Sequence, residues 1–255
     1  ARGLAETGYD EVSLTSLSST DHSQIAEILT RVNADCAGAG VRVSVPSQRL
    51  DAFGVEMAEL VAGQKKGGLT FAPEAGTQRL RDVINKGVTE EDLMSKVSDA
   101  FHGGWSSVKL YFMMGLPTET TEDLDGIADL AKKVVDAYFA VPRGERAKGL
   151  RVVCSASVFV PKPFTPFQWE PQDTQEMVRE KQSHLREKLR IKGVTFNYHE
   201  SDLSYLEACF ARGDRRMGQV LLRAYQKGCM LDGWTELFKY DMWREAFAEL
   251  GIDPA

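Results

Sequence analysis

An α/β fold on a mostly parallel sheet, followed by a helical tail, is what this sequence predicts, and three observations carry the prediction. Short apolar runs alternate with longer amphipathic segments from Asp10 to Glu200, the rhythm of β-α-β units. Side chains within the apolar runs alternate at period two, so each strand has an apolar and a polar face. After Ser201 the remaining segments read as helices with no strand between them. At 255 residues and 43% hydrophobic content the chain can bury a sizeable core. The expected division is a partial barrel over residues 1–200 and a helical extension over 201–255 packed on it.

In chain order, "DEVSLTSL" reads as a strand and "STDHSQIAEILTRVNADCAGAG" as a capped helix ending in glycine. His22 follows Asp21 and belongs near that cap rather than in a ligand set. "VRVSVP" is the next strand and "VEMAELVAGQKKGG" the next helix. The strand "LTFAPEAG" precedes two helices, "TQRLRDVINKG" and "TEEDLMSKVSDAFHGG". "VKLYFMM" and "EDLDGIADLAKKVV" form the next pair, and "LRVVCSASVFV", "TQEMVREKQSHLREKLRIKG" and "VTFNYHE" complete the alternation. The tail holds "SDLSYLEACFARG", "DRRMGQVLLRAYQKG" and "WTELFKYDMWREAFAELG", three predicted helices. Trp234, Phe238, Trp243 and Phe247 recur at helical spacing and read as a packing face. Leu206, Phe210, Leu221, Leu222, Trp234 and Trp243 are expected to dock the tail, each contributing about 1.5–3 kcal/mol.

The strand faces narrow the architecture, which alternation alone leaves as either doubly wound or closed. One face carries Val12 and Leu14, Val41, Val43 and Val45, Leu69 and Phe71, Val108, Leu110 and Phe112, and Val152 and Val158. The other carries Ser13, Thr15, Arg42, Ser44, Thr70, Glu74, Lys109, Tyr111, Ser155 and Ser157. An ordinary barrel interior is filled with Val, Ile and Leu, and an unpaired buried charge is costly. The polar face therefore indicates an incomplete or wide barrel with Arg42, Glu74, Lys109 and Ser155 converging on a ligand cavity at the carboxyl ends of the strands. The alternative is that Arg42, Glu74 and Lys109 pair with one another or meet solvent.

Charge and motif content exclude several classes. Lys and Arg number 31 against 37 Asp and Glu, a net charge of -6, so nucleic-acid binding has no support from charge. No apolar run reaches the roughly 18 residues of a membrane span, and the first residues lack a signal peptide's pattern, so a cytoplasmic location is expected. Cys36, Cys154, Cys209 and Cys229 form no CxxC, and His22, His102, His184 and His199 are scattered, so no metal site is expected. The nucleophile-elbow, Walker and dinucleotide-loop motifs are absent. "RGDRR", Arg212 to Arg216, reads as a solvated helix start with Asp214 near its amino end, or as an acid-binding run.

One stretch raises a sharper question: "VKLYFMMGLPTETTEDL" runs a strand abruptly into Gly-Leu-Pro. Gly115 permits the turn and keeps side chains out of a ligand's way, Pro117 fixes the exit, and Thr118 or Thr120 can cap the following helix. This stretch resembles the fifth-strand motif of radical S-adenosylmethionine (SAM) enzymes, especially the branch with methylthiotransferases and cobalamin-dependent members. "LTFAPEAGTQRLRDVINKGVTEEDL" is similar to the fourth-strand segment of that group, "SVFVPKPFTPFQW" to the sixth-strand exit, and "EVSLTSLSSTDHS" occupies the place of the second strand. "LTSLSS", "FAPEAGTQRLR", "FVPKPFTPFQW" and "LEACFARGDRRMG" resemble most an uncharacterised bacterial family in which this core often follows a cobalamin-binding-type domain. The resemblance covers most of residues 8–235.

The resemblance implies a six-stranded open barrel of which strands two to six are present, with "VTFNYHE" a later addition. The first strand is missing, and with it the CxxxCxxC loop that ligates three irons of a [4Fe-4S] cluster. The intact protein is expected to bind SAM and that cluster, accept an electron from a donor and generate a 5'-deoxyadenosyl radical for hydrogen abstraction or group transfer on an unknown substrate. This chain alone is expected to be inactive. Cobalamin use and an amino-terminal cobalamin-binding-type domain are left open. Carried over by position, the cofactor-facing residues are Ser18 and Ser19 at the second-strand loop and Ser44 and Arg49 at the third-strand exit. Glu74 substitutes for an absent Gly-Gly-Glu, Lys109 and Tyr111 lie on the fifth strand, Gly115 lies where the backbone would pass the adenine, and Ser155 and Ser157 lie near ribose or substrate. No catalytic residue is assigned. Two other readings stand beside this one: a cluster-free barrel that holds a small anion or a partner's segment, and an aldolase-like barrel using Lys109 as an amine.

Overall fold

The computed structural model describes residues 2–14, 22–37, 40–44 and 68–254, and the chain falls into two compact units. The first comprises residues 1–113, 118–157 and 183–197, the second 114–117, 158–182 and 198–255.

The first unit opens with α1 (Arg2–Thr7), β1 (Glu11–Ser13), α2 (Ile25–Ala37) and β2 (Arg42–Ser44). β1 and β2 run parallel, with Val12 opposite Val43. Leu29 and Cys36 of α2 are buried with Val43, and Leu4, Val12, Ile25 and Val32 close around them. His22 stands at the start of α2 as expected, its Nδ1 accepting the Gln24 N–H at 3.1 Å. The later part of the first expected strand, and the helix expected after "VRVSVP", lie outside the described residues.

A larger sheet holds β3 (Leu69–Glu74), β4 (Ser107–Met114), β5 (Arg151–Val158) and β6 (Val194–Tyr198), in the order β3-β4-β5-β6. β3 and β4 are parallel, with Thr70 opposite Lys109. Ser106 O accepts from Arg151 N–H at 2.8 Å and Met114 O from Phe159 N–H at 2.9 Å, so β5 runs alongside β4 in the same direction from end to end. Neighbours in space are neighbours in sequence. A doubly wound sheet reverses its order at a switch point, whereas a barrel keeps it. The architecture is that of a partial, TIM-like barrel, with β6 added after the expected strands.

α3 (Gln78–Val83) and α4 (Glu90–His102) connect β3 to β4, and α5 (Thr121–Ala140) connects β4 to β5. Thr77 caps α3, its Oγ1 accepting the Leu80 N–H at 3.3 Å, and Thr89 and Asp92 cap α4 reciprocally. Leu69, Phe71, Val108, Leu110 and Phe112 are buried, as are Leu93, Val97, Phe101, Ile127 and Val134 on α4 and α5. The alternate strand positions, Thr70, Lys109, Met113, Ser155 and Ser157, are only half-buried and Tyr111 is exposed. The two predicted faces are thus present on β3, β4 and β5.

In the second unit, residues 175–182 of α6 (Gln175–Lys188) accompany α7 (Ser201–Arg212), α8 (Met217–Gln226) and α9 (Tyr240–Glu249). Leu206, Cys209, Val220, Ala224, Trp243 and Phe247 form its core, and Phe210 meets Trp243 edge to face with centroids 5.6 Å apart. Asp202 ties α7 to α6 through Gln175 and Arg179, each at 2.6 Å. Two expectations for this tail are corrected. The last helix begins at Tyr240, because Gly228 and Leu231 take positive φ and residues 232–237 are turns, which leaves Trp234 62% exposed. Leu221 and Leu222 are 53% and 58% exposed, because α8 turns Met217, Val220 and Ala224 inward and is apolar on its outer face as well.

Candidate active site

β3 ends in a bulge. Phe71 faces Leu110 but Glu74, not Pro73, faces Phe112, so one residue is extra. Pro73 offers no N–H to the ladder, which suits it to such an irregularity. The bulge leaves Glu74 at φ 68°, a left-handed conformation that costs a residue with a side chain about 1–3 kcal/mol. Its carboxylate meets Lys86 Nζ at 3.3 Å, both side chains partly exposed. Glu74 is therefore an ion-paired group at the carboxyl end of β3.

Lys109 and Tyr111 share one face of β4, and the ammonium lies 4.4 Å from the Tyr111 ring centroid, a cation–π contact. Lys109 has no carboxylate partner among the described residues, and the Tyr111 and Ser155 hydroxyls make no hydrogen bond there. The two bonds that join the ends of β4 and β5 bring Ser155 level with Tyr111. Ser157 differs: its Oγ donates to the Phe112 carbonyl at 3.4 Å. Among the described residues, Lys109, Tyr111 and Ser155 of neighbouring strands thus have no hydrogen-bond or ion-pair partner, and the Lys109 ammonium rests on the Tyr111 ring.

Ser44 closes β2 opposite Ser13. Ser18, Ser19 and Arg49 lie outside the described residues. Gly115 belongs to the second unit and has φ 79°. The space that its missing side chain leaves is taken by Asp173, whose Oδ2 would lie 2.7 Å from a Cβ at Gly115. Asp173 is itself held by Lys181 at 2.6 Å, both largely buried.

The loop after β4 is fixed from α3. Thr118 has φ 66°, and Arg79 braces it through Nη1 to Oγ1 at 3.2 Å and Nη2 to the carbonyl at 2.9 Å. Asp123, only 2% exposed, accepts from Thr120 N–H at 2.8 Å, Thr120 Oγ1 at 3.0 Å, Thr77 Oγ1 and Arg79 Nη2. Burial pushes its carboxyl up, but the bonds from Thr77, the Thr120 backbone and Arg79 outweigh burial and hold it below the ordinary carboxylate value. Arg81, 1% exposed, bonds the Ala75 carbonyl at 2.9 Å and the Gln78 side chain at 3.1 Å. The β3 exit and residues 118–123 are therefore clamped together by Thr77, Arg79 and Asp123. The sequence reading assigned none of these three a role, although Thr120 and Asp123 stand at capping-box spacing.

The four cysteines are buried free thiols, and burial pushes Cys154 up to about 12. No group of three His, Cys, Asp or Glu among the described residues is arranged to hold a metal ion. An iron–sulfur cluster needs thiolates close together, and these residues do not fit one. Among the described residues no helix is long and apolar enough to cross a membrane.

Two comparisons bear on this geometry. The chain is 30% identical over 250 residues to the uncharacterised protein MJ0966 of Methanocaldococcus jannaschii, a match that covers 92% of this chain and 52% of that protein. The chain thus spans about half the length of that relative. A family model described as the radical SAM superfamily matches residues 1–131, the part that carries β1 to β4, the bulge at Glu74 and the clamp around Asp123. With half of its length under that model and its strands in barrel order, the chain belongs to the radical SAM superfamily.

Proposed function

We propose that the half-open polar face of β3, β4 and β5 binds SAM, within a longer protein whose cluster-binding thiolates lie outside residues 1–255. The observation that supports this reading is that Lys109, Tyr111 and Ser155 have no hydrogen-bond or ion-pair partner among the described residues, in a chain of this superfamily. A cluster held by those thiolates would supply the electron that SAM chemistry needs. The residues of this chain have simpler tasks. Lys109 offers an ammonium to a carboxylate, and Tyr111 keeps that ammonium over its ring when no ligand is bound. Ser155 offers a hydroxyl to ribose, and the Glu74 carboxylate, presented by the bulge, can exchange Lys86 for a ligand ammonium. The Thr77–Arg79–Asp123 clamp holds the β3 exit against residues 118–123 while a ligand enters.

The test is SAM affinity, by equilibrium dialysis, in a longer form of the protein that carries a CxxxCxxC segment. Lys109→Met and Ser155→Ala should each weaken binding about tenfold, the worth of one hydrogen bond to a charged or polar group, with the cluster absorbance unchanged. Full affinity in both variants would refute the site. The scattered cysteines favour one alternative, a cluster-free barrel that holds a small anion on the same face. Saturable binding of inorganic phosphate, with no affinity for SAM, by a longer protein without upstream cysteines would support that alternative.

A further inference from the structure

The second unit contains a cleft of about 460 Å³ between the loop over residues 161–172, α7 and residues 252–254, a volume in the range that holds small ligands. Arg212, the last residue of α7, is fixed at its mouth. Its Nη1 donates to the Gln168 carbonyl at 2.7 Å and the Pro161 carbonyl at 3.1 Å. Those bonds lock the guanidinium plane but occupy one nitrogen, and Arg212 has no carboxylate partner among the described residues. Arg216 is differently placed: its Nε is held by both carboxylate oxygens of Asp214 at 3.0 Å. Of the "RGDRR" run, Arg216 is thus satisfied locally and Arg212 faces the cleft with donors to spare.

Three carboxylates line the cleft: Asp214 is held by Arg216, Asp253 is also engaged, and Glu170 is the one whose side chain has no partner among the described residues. Pro171, Ala208, Met217 and Ile252 give it apolar wall. Tyr205 adds a hydroxyl to the lining, and burial raises its pKa. A fork of guanidinium donors matches a carboxylate, a free carboxylate matches an ammonium, and the apolar wall matches an aliphatic body. We propose that this cleft is a binding site for a small zwitterion of the α-amino-acid class, with Arg212 on the carboxylate, Glu170 on the ammonium and the apolar wall on the side chain. The site does not depend on the SAM reading, since all its residues belong to the second unit.

Calorimetric titration of the 255-residue chain with L-leucine, 4-methylpentanoate, isoamylamine and inorganic phosphate tests it. L-leucine should bind saturably, and each single-charge analogue at least tenfold more weakly. Glu170→Gln and Arg212→Lys should each weaken L-leucine binding at least tenfold. Glu170→Gln breaks no side-chain hydrogen bond or ion pair among the described residues, so it keeps the test valid if Arg212→Lys disturbs the loop. No saturable binding of L-leucine, phosphate binding more tightly than L-leucine, an analogue matching it, or full affinity in Glu170→Gln would each overturn the proposal.

Discussion

Gly76 and Gly126 meet where the turn after β3 crosses α5: a Cβ on Gly126 would come within 2.8 Å of the Gly76 carbonyl carbon, and one on Gly76 would overlap the backbone of Asp123 and Ile127. Backbone cannot swing aside as a side chain can. Alanine in the middle of α5 would gain about 1 kcal/mol of helix propensity over glycine, but overpacking costs about 1–3 kcal/mol, and here the obstacle is main chain. Gly126→Ala should therefore lower stability by about 1–2 kcal/mol and Gly76→Ala by more, read from urea unfolding midpoints at unchanged slope. A stabilised Gly126→Ala would show that the two loops are not clamped.

Asp123 gives the fold an acid limb. Its folded-state pKa is held below the ordinary carboxyl value by Thr77, Thr120 and Arg79, so its contribution is present above the unfolded value of about 3.9 and is lost as pH falls through the lower folded value. Asp123→Asn should flatten the decline in stability below about pH 4, and Asp123→Ala should cost about 3 kcal/mol at neutral pH by stranding buried donors. Thermal unfolding between neutral and acid pH measures both. An unchanged acid limb in Asp123→Asn would mean that other carboxylates carry it.

Gly115 and Asp173 form a second close approach. Gly115→Ala combines a positive φ, worth about 1–2 kcal/mol against a side chain, with displacement of Asp173 from Lys181. Faster amide exchange in the residues around Asp173 is the expected sign. Unaltered exchange with a stability loss under about 0.5 kcal/mol would show that the pair relaxes freely.

The two tryptophans of the tail should behave oppositely. Trp243 is 4% exposed and Trp234 is 62% exposed. Trp243→Ala should cost about 3–5 kcal/mol, whereas Trp234→Ser should stay within about 0.5 kcal/mol. Comparable losses from both would restore the continuous apolar face that the spacing suggested.

That contrast shows where the sequence was legible. Strand alternation named the six strands found among the described residues, and on β3, β4 and β5 period-two burial is a local property that survives any arrangement of the helices. Helical spacing around Trp234 misled, since the positive φ at Gly228 and Leu231 breaks the helix before that residue and spacing carries no information on backbone breaks. Leu221 and Leu222 were indistinguishable in sequence from Val220 and Ala224. Lys109, Tyr111 and Ser155 were legible as polar positions on apolar strands. The partners of Glu74 and Gly115 were not, because Lys86 and Asp173 reach them through a bulge and a loop that no periodicity encodes. The clamp on Asp123 was half visible: the capping box is local, while Thr77 and Arg79 arrive from a helix more than forty residues away in sequence.

The most direct test of the SAM-binding core is 5'-deoxyadenosine formation without air, with iron, sulfide and a reductant supplied, measured for residues 1–255 and for a longer form that carries a CxxxCxxC segment upstream. The longer form should make 5'-deoxyadenosine from SAM, at limiting SAM about tenfold less in Lys109→Met, while residues 1–255 alone should make none, having no set of thiolates to hold a cluster. A longer form that holds its cluster yet cleaves no SAM, or cleaves it equally well with Lys109→Met, would contradict the account.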